Sequence, residues 1–518
     1  MDSEKIGKII LELRKSEGLT QAQLAEKLMV SDKAVSKWEL GASIPDIQQL
    51  ESITQLFNIS YDLLLSGDLD RVKLMTTKGQ EVKAVEKKKL TTKEWYKLDS
   101  AALVYPPQAK RDWNLVYRVS AVLKEEIDME NLTNALHDMV ERFPTFMVCL
   151  KKGFFWYYLE RMEKYPVVEQ SDRHPNRPIK LDGKHYLFRV IADNQRISVE
   201  VFHSVSDAFG STVFLISLLT RYYELKYGQV GDYKDALNAL DIVNQDEIMD
   251  AYELYATNGN FSSQENFKQA YHIKEKRIKD NIVTHLVVNA QELKKIAKKY
   301  DCTVTELLTA LYTKAFLKRK FYDRDRNPYV VQIPINLRSV FPSNTLRNFS
   351  LFTNVRVDEV ELSLEELIDT IKKQLEAGKD KDTLKSDINR IVSLKNNVVI
   401  RTMPRGVKDF AIKTISKLIG NVGCTTVFSN LGVINAPEEL KSIVDRLEFV
   451  MKDDIMGGVS MSAVTFNNKC DITFIRSIVK STVERDMARE LADLGLEVYV
   501  EGNGGVRSWE HVSIAMLN

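Results

Sequence analysis

The stretch HSVSDAFG at 203–210 has the clearest chemical content in the chain: His203, with Asp207 four residues on. An imidazole ionises near neutrality, so His203 could take a proton from an alcohol or an amine. The nucleophile so formed could attack a thioester directly, with no acyl-enzyme. Asp207 could orient the loop by pairing with a cation. By spacing alone, His-x-x-x-Asp is a weak signal. His137 sits on a predicted helix, His174, His185, His272, His285 and His511 have no recognisable partners in the sequence, and all six read as structural or solvated. Cys149, Cys302, Cys424 and Cys470 form no Cys-x-x-Cys pair, so they read as reduced, buried thiols rather than a disulfide framework or a zinc site. No metal-ligand cluster and no phosphate-cradling glycine loop stands out.

The elements around His203 favour a site. Two strand-like runs, YLFRVIA and RISVEVF, end at His203, and residues 204–209 form a loop into an amphipathic helix. Strand ends that feed loops both hold and expose reactive groups. From about Trp95 to the C-terminus, strand-like runs alternate with helical ones such as NLTNALHDMVERF, an α/β pattern. Its length suggests two lobes, at 93–270 and 271–518, with a charged crossover at 262–281.

The segment HSVSDAFG resembles the His-His-x-x-x-Asp-Gly motif of condensation domains, polyketide-associated acyltransferases and alcohol acetyltransferases. NALHDMVERFP resembles that group's first helix, IPINLRSVFPSNTLRNFS its second-lobe strand with an arginine, and VFSNLGVI its strand and turn near the substrate tunnel. The resemblance implies a two-lobed fold of chloramphenicol-acetyltransferase type. It makes His203 the general base, and Asp207 a structural residue paired across the lobes with Arg338. Gly210, Ser429 and Asn430 fall at the tunnel. It also implies an acyl-CoA or carrier-bound pantetheine thioester as co-substrate, with no tightly bound cofactor. Two positions depart from the motif: Phe202 replaces the first histidine, and Ala208 the glycine after the aspartate.

Residues 1–68 read as short helices. Thr20 with Gln23 makes a capping box, and Ser31 can cap the next helix, with Val35 and Trp38 facing inward. Pro45-Asp46 opens a fourth helix, with Ile47, Leu50, Ile53, Leu56 and Phe57 as its apolar stripe. Gly18 suits the end of the first helix. The run LTQAQLAEKL, then VSDKAVSKWELG, then IPDIQQL resembles the Cro/repressor-type helix-turn-helix family, with Met29 where that family usually has glycine. The resemblance implies that Gln21 touches a phosphate of double-stranded DNA. Ser31, Lys33, Ala34, Ser36 and Lys37 would form the contact surface, with Lys33, Ala34 and Lys37 facing the major groove. Residues 1–70 carry a net charge of −5, whereas Arg71 to Lys97 carries nine Lys/Arg against three Glu, with 69–92 as a basic linker. A single acidic head should bind DNA poorly, so a homodimer is expected.

The whole chain has a net charge of +1 and points to no polyanion by itself. No run reaches the roughly 18 apolar residues of a membrane span, and the N-terminus lacks a signal-peptide core. A bacterial, cytoplasmic protein without a membrane partner is expected. The sequence leaves three functions open. The chain is a regulator that still transfers acyl groups, a regulator that only senses an acyl ligand, or an acyltransferase whose head is an assembly module.

Overall fold

The computed structural model describes residues 3–16, 19–28, 30–57, 59, 64, 94–110, 115–170, 174–257, 269–359, 361–418, 423–452, 458–503 and 510–512. Gly18, Met29 and the linker up to 93 lie outside them. The chain divides into two compact units, Met1–Lys93 with Val243–Met249, and Glu94–Ile242 with Asp250–Asn518.

The first unit holds helices α1 (Ser3–Ser16), α2 (Gln21–Lys27), α3 (Asp32–Glu39) and α4 (Ile47–Phe57). Thr20 caps α2 in a reciprocal box: the Gln23 amide nitrogen donates to Thr20 Oγ1, and the Thr20 amide donates to Gln23 Oε1 at 2.8 Å. Ser31 Oγ accepts from the Ala34 amide, and Asp46 Oδ1 accepts from the Gln49 amide. Ile6, Ile9, Ile10, Leu24, Leu28, Val35, Trp38, Leu50 and Ile53 are buried together, while Leu56 and Phe57 are half-buried. Gly7 lets α1 reach α3, because a Cβ there would sit 2.2 Å from the Trp38 carbonyl oxygen.

The second unit is built on two larger sheets and a small one. The first larger sheet has five strands in the order Val444–Val450, Val116–Leu123, Arg196–Phe202, Phe188–Asp193 and Val168–Gln170. The second has eight, in the order Ser350–Val357, Tyr329–Asn336, Thr426–Val433, Val459–Phe466, Lys469–Ile478, Arg277–Asn289, Tyr499–Gly502 and Glu510–Val512. Strand Val444–Val450 comes from the C-terminal half yet pairs antiparallel with Val116–Leu123. A division of the chain at 270/271 therefore does not coincide with the division between the sheets. Within the expected crossover, 262–268 lies outside the described residues, and from Arg277 the chain is already a strand.

Each larger sheet has its own apolar core. Helices Met129–Arg142 and Ala208–Tyr227 pack together, and the latter lies on strands Val116–Leu123 and Arg196–Phe202. The sequence predicts Ala208–Tyr227 as amphipathic. The structure instead buries Val213, Phe214, Leu215, Ile216, Leu218 and Leu219 in succession, so this helix is covered on nearly all sides. On the other sheet, Val304–Asp323 packs against Leu364–Gly378 and Thr482–Asp493.

Candidate active site

Strand Arg196–Phe202 ends immediately before His203, whose amide donates to the Leu115 carbonyl at 2.9 Å. The ring is clamped by aromatics, stacked on Tyr105 at 4.5 Å and edge-on to Tyr117 at 5.1 Å. His203 Nδ1 lies 3.0 Å from Asn348 Oδ1. Asn348 Nδ2 donates to Asp99 Oδ2 at 2.9 Å and to the His203 carbonyl at 3.0 Å. Both of those partners only accept, so the Asn348 oxygen must face the imidazole. His203 then carries its proton on Nδ1 and keeps the lone pair on Nε2. Burial lowers the His203 pKa to about 4, with Lys452 adding to the shift, so the ring is neutral at physiological pH. Burial raises the Asp99 pKa to about 6, against the pull of Arg347.

Asp207 is the N-cap of helix Ala208–Tyr227, and its Oδ1 accepts from the Gly210 amide at 3.0 Å. Its Oδ2 accepts from Arg338 Nη1 at 2.8 Å and from the Phe349 amide at 2.9 Å. Both side chains are buried. Arg338 also donates to the carbonyls of Thr345 and Arg347, and its guanidinium lies 4.4 Å from the Phe209 ring centre. The pair thus ties the loop after His203 to the chain that carries Asn348. Ala208 is the first helical residue, a position that needs no glycine. Phe202 is fully buried in the core.

A cavity of about 320 Å³ opens beside His203. Its wall includes Tyr105, Val213, Ile216, Phe352 and Leu431, with Ser429, Asn430 and Lys452 among its polar members. Gly210 is not part of this wall. It is buried behind the loop, where a Cβ would stand 2.0 Å from the Leu346 carbonyl oxygen. There it permits close packing between the helix start and residue 346. Asn348 and Asp99 escaped the sequence reading, because an isolated asparagine or aspartate carries no spacing signal.

On the first unit, Ser31, Lys33 and Lys37 are exposed on α3 or at its start, and Ala34 and Ser36 are half-buried. Gln21 is turned inward: its Nε2 donates to Glu39 Oε2 at 2.7 Å, and Glu39 also pairs with Arg14. One N–H of the Gln21 amide thus serves Glu39, and the side chain is half-buried at the start of α2.

A second polar cluster lies at the crossing strand. His285 Nδ1 is 3.1 Å from Asp471 Oδ1, although the sequence offered His285 no partner. Arg196 donates to Glu448 Oε2 at 2.8 Å and to Glu501 Oε1 at 2.6 Å, and Arg446 pairs with Glu448 and Glu501. Donor atoms of His285, Glu448 and Asp471 fall within 4.8 Å of one another, a spacing that suits a metal ion. Two guanidinium groups nevertheless engage the Glu448 carboxylate, so the cluster is an ion-pair network. Burial opposes His285 protonation, but Asp471 and Glu448 outweigh it and raise its pKa. Cys149, Cys302, Cys424 and Cys470 are free thiols. Among the described residues, no helix is long and apolar enough to cross a membrane.

Residues 10–64 match the family model described as Helix-turn-helix. In this region the chain is 47% identical over 57 residues to the HTH-type transcriptional activator BcrR of Enterococcus faecalis, covering 11% of this chain and 28% of that protein. It is 36% identical over 63 residues to the HTH-type transcriptional regulator ImmR of Bacillus subtilis, covering 12% of this chain and 50% of that protein. The chain thus spans half or less of the length of these relatives. The first condensation domain of the calcium-dependent antibiotic synthetase, solved with a substrate analogue, superposes with a TM-score of 0.53 at 12% identity. That match covers 78% of this chain and 97% of the other. TRI3 trichothecene 15-O-acetyltransferase from Fusarium sporotrichioides gives a TM-score of 0.50 at 10% identity, covering 77% and 94%. The protein therefore joins a helix-turn-helix region to a large α/β domain with the fold of condensation domains and acyltransferases.

Proposed function

We propose that the chain is a DNA-binding transcription regulator whose large unit transfers an acyl group from a thioester, acyl-CoA or carrier-bound, to an alcohol or amine. The observation that carries this reading is the hold of Asn348 on His203, which reserves Nε2 as a base on the wall of an apolar cavity. Nε2 takes the proton of the acceptor O–H or N–H as that atom bonds to the thioester carbonyl carbon. The tetrahedral intermediate then collapses, the C–S bond breaks, and the leaving thiolate takes the proton back from Nε2. Asp207 and Arg338 fix the loop and do no chemistry, and Ser429 and Asn430 stand on the tunnel wall. Thiol release from an acyl-CoA panel tests the reading. His203→Ala should lose about 10²–10⁴-fold in rate with the fold retained, and unchanged turnover removes His203 from the mechanism.

The regulator part rests on the exposed start and face of α3, with Ser31, Lys33, Ala34, Ser36 and Lys37 toward the major groove of double-stranded DNA. The acidic head binds as a homodimer, aided by the basic linker. Fluorescence anisotropy against a genomic operator library should find salt-dependent binding that Lys37→Glu abolishes. The absence of such binding by the wild type would sink this part. Occupancy of the large unit shifts operator affinity by about 1–3 kcal/mol, which titration with and without a saturating thioester measures.

A second reading, in which the cavity only senses an acyl ligand, is favoured by one observation. A base with a pKa of about 4 is a weak proton acceptor at neutral pH. Thioester binding without turnover in the wild type would select it.

A further inference from the structure

Helix Arg405–Leu418 is packed with its polar side toward the protein. Arg405 Nε donates to the Gly153 carbonyl at 3.1 Å, and Tyr157 donates to Asp409 Oδ2 at 2.8 Å. Lys408 Nζ donates to the Phe155 carbonyl at 3.0 Å and lies 3.2 Å from the Trp156 ring centre. The opposite side is apolar and open: Val407, Phe410 and Ile415 are 52%, 73% and 55% exposed, and their spacing puts them on one stripe. Phe154, in the hairpin that receives the helix, and Val398 and Val399, on the helix just before it, are also exposed. A surface helix in water turns its apolar face inward, so this inversion marks a face that meets something apolar.

Charge selects the partner. Among the described side chains of residues 398–418, the exposed charges are Arg401 and Lys413, both basic, whereas Arg405, Lys408 and Asp409 are engaged with the hairpin. A second copy would set these cations against each other, and the basic linker is of the same sign. An apolar stripe flanked by Arg401 and Lys413 suits an anionic lipid surface, where an apolar face sits about 5–10 Å into the headgroup/acyl boundary. We infer that helix Arg405–Leu418, with Val398, Val399 and Phe154, docks the protein peripherally on anionic phospholipid membranes. That no described helix is long and apolar enough to span bears on crossing a bilayer, not on lying against one. The helix also packs beside Tyr105–Gln108, and Tyr105 lines the cavity, so docking would bring the cavity near the lipid.

The test is flotation of the full-length protein with vesicles of phosphatidylcholine alone or of phosphatidylcholine mixed with phosphatidylglycerol, whose anionic headgroups give the surface a negative potential. Binding should need the anionic lipid. The double variant Val407→Ser, Phe410→Ser should lose about tenfold or more in partitioning with its thermal transition unchanged, both side chains being exposed. The emission that Phe410→Trp adds to that of the five native tryptophans should be quenched by brominated acyl chains. No binding to anionic vesicles overturns the inference. So does undiminished binding by the double variant, which would assign attraction to the basic linker. Added emission in Phe410→Trp that brominated lipid leaves unquenched overturns it too. None of these readouts depends on DNA binding or thioester turnover, so the proposed function stands or falls separately.

Discussion

His203 Nδ1 and Asn348 Oδ1 lie 3.0 Å apart, 145 residues apart in sequence, and this contact decides which imidazole nitrogen is basic. Asn348 cannot turn its amide over, because Asp99 and the His203 carbonyl both hold Nδ2. Removing the hold leaves the ring in place between Tyr105 and Tyr117 but frees its tautomer. Asn348→Ala should therefore lower kcat about 10–100-fold with KM little changed, a smaller loss than removing the base itself. Equal kinetics in variant and wild type would leave Asn348 a packing residue.

The depressed pKa of His203 sets the pH dependence of the proposed transfer. The ring is the active, unprotonated form above about pH 4, so kcat/KM should show no histidine limb between pH 6 and 8 and should fall only as pH approaches 4. Lys452→Met removes a positive charge that disfavours the imidazolium, so the acid limb should move up from about 4 while burial keeps it below 6.5. A limb that stays put in the variant would exclude Lys452 as a cause.

Asp207 is both a helix cap and half of a buried ion pair, and the two roles can be separated. Asp207→Asn keeps an oxygen for the Gly210 amide but removes the charge opposite Arg338, whereas Asp207→Ala removes both. Breaking a buried pair costs about 3–5 kcal/mol, and losing a cap about 1 kcal/mol. Urea denaturation should rank wild type above Asp207→Asn, and Asp207→Asn above Asp207→Ala. Equal stabilities of wild type and Asp207→Asn would mean that the ion pair contributes nothing to the fold.

His285 should make stability depend on pH in the opposite sense to a carboxylate. Its folded pKa is raised, so its contribution is fully present below the unfolded value near 6.5. That contribution is lost as pH rises through the folded pKa. Once protonated, it balances Arg196 and Arg446 against Glu448, Glu501 and Asp471, three charges of each sign. His285→Asn should be less stable than wild type at pH 6 by about 3 kcal/mol, with the gap narrowing by pH 9. A gap that widens with pH would show His285 to be buried neutral.

Local signals were legible where a few neighbouring residues settle the structure. The capping box of Thr20 with Gln23 and the inward Val35 and Trp38 could be read directly. The link from Asp207 to Arg338 spans 131 residues and could be named only by resemblance. Asn348 and Asp99 carry no local signature at all. The bond from Gln21 to Glu39, 18 residues away, has no local signature either. His285 looked solitary because Asp471 reaches it only through strand pairing. Helix Ala208–Tyr227 looked amphipathic because sequence cannot show how many sides of a helix will be covered.

Strand Val444–Val450, at the edge of the five-stranded sheet, has a consequence for birth on the ribosome. The other four strands of that sheet have all been made by Phe202, yet the fifth follows only about 250 residues later. At about 5–20 residues per second, strand Val116–Leu123 waits roughly 10–50 s with an open edge. During translation this sheet is therefore a docking site for any passing strand, and its closure is a late event that only the C-terminal half of the nascent chain can perform.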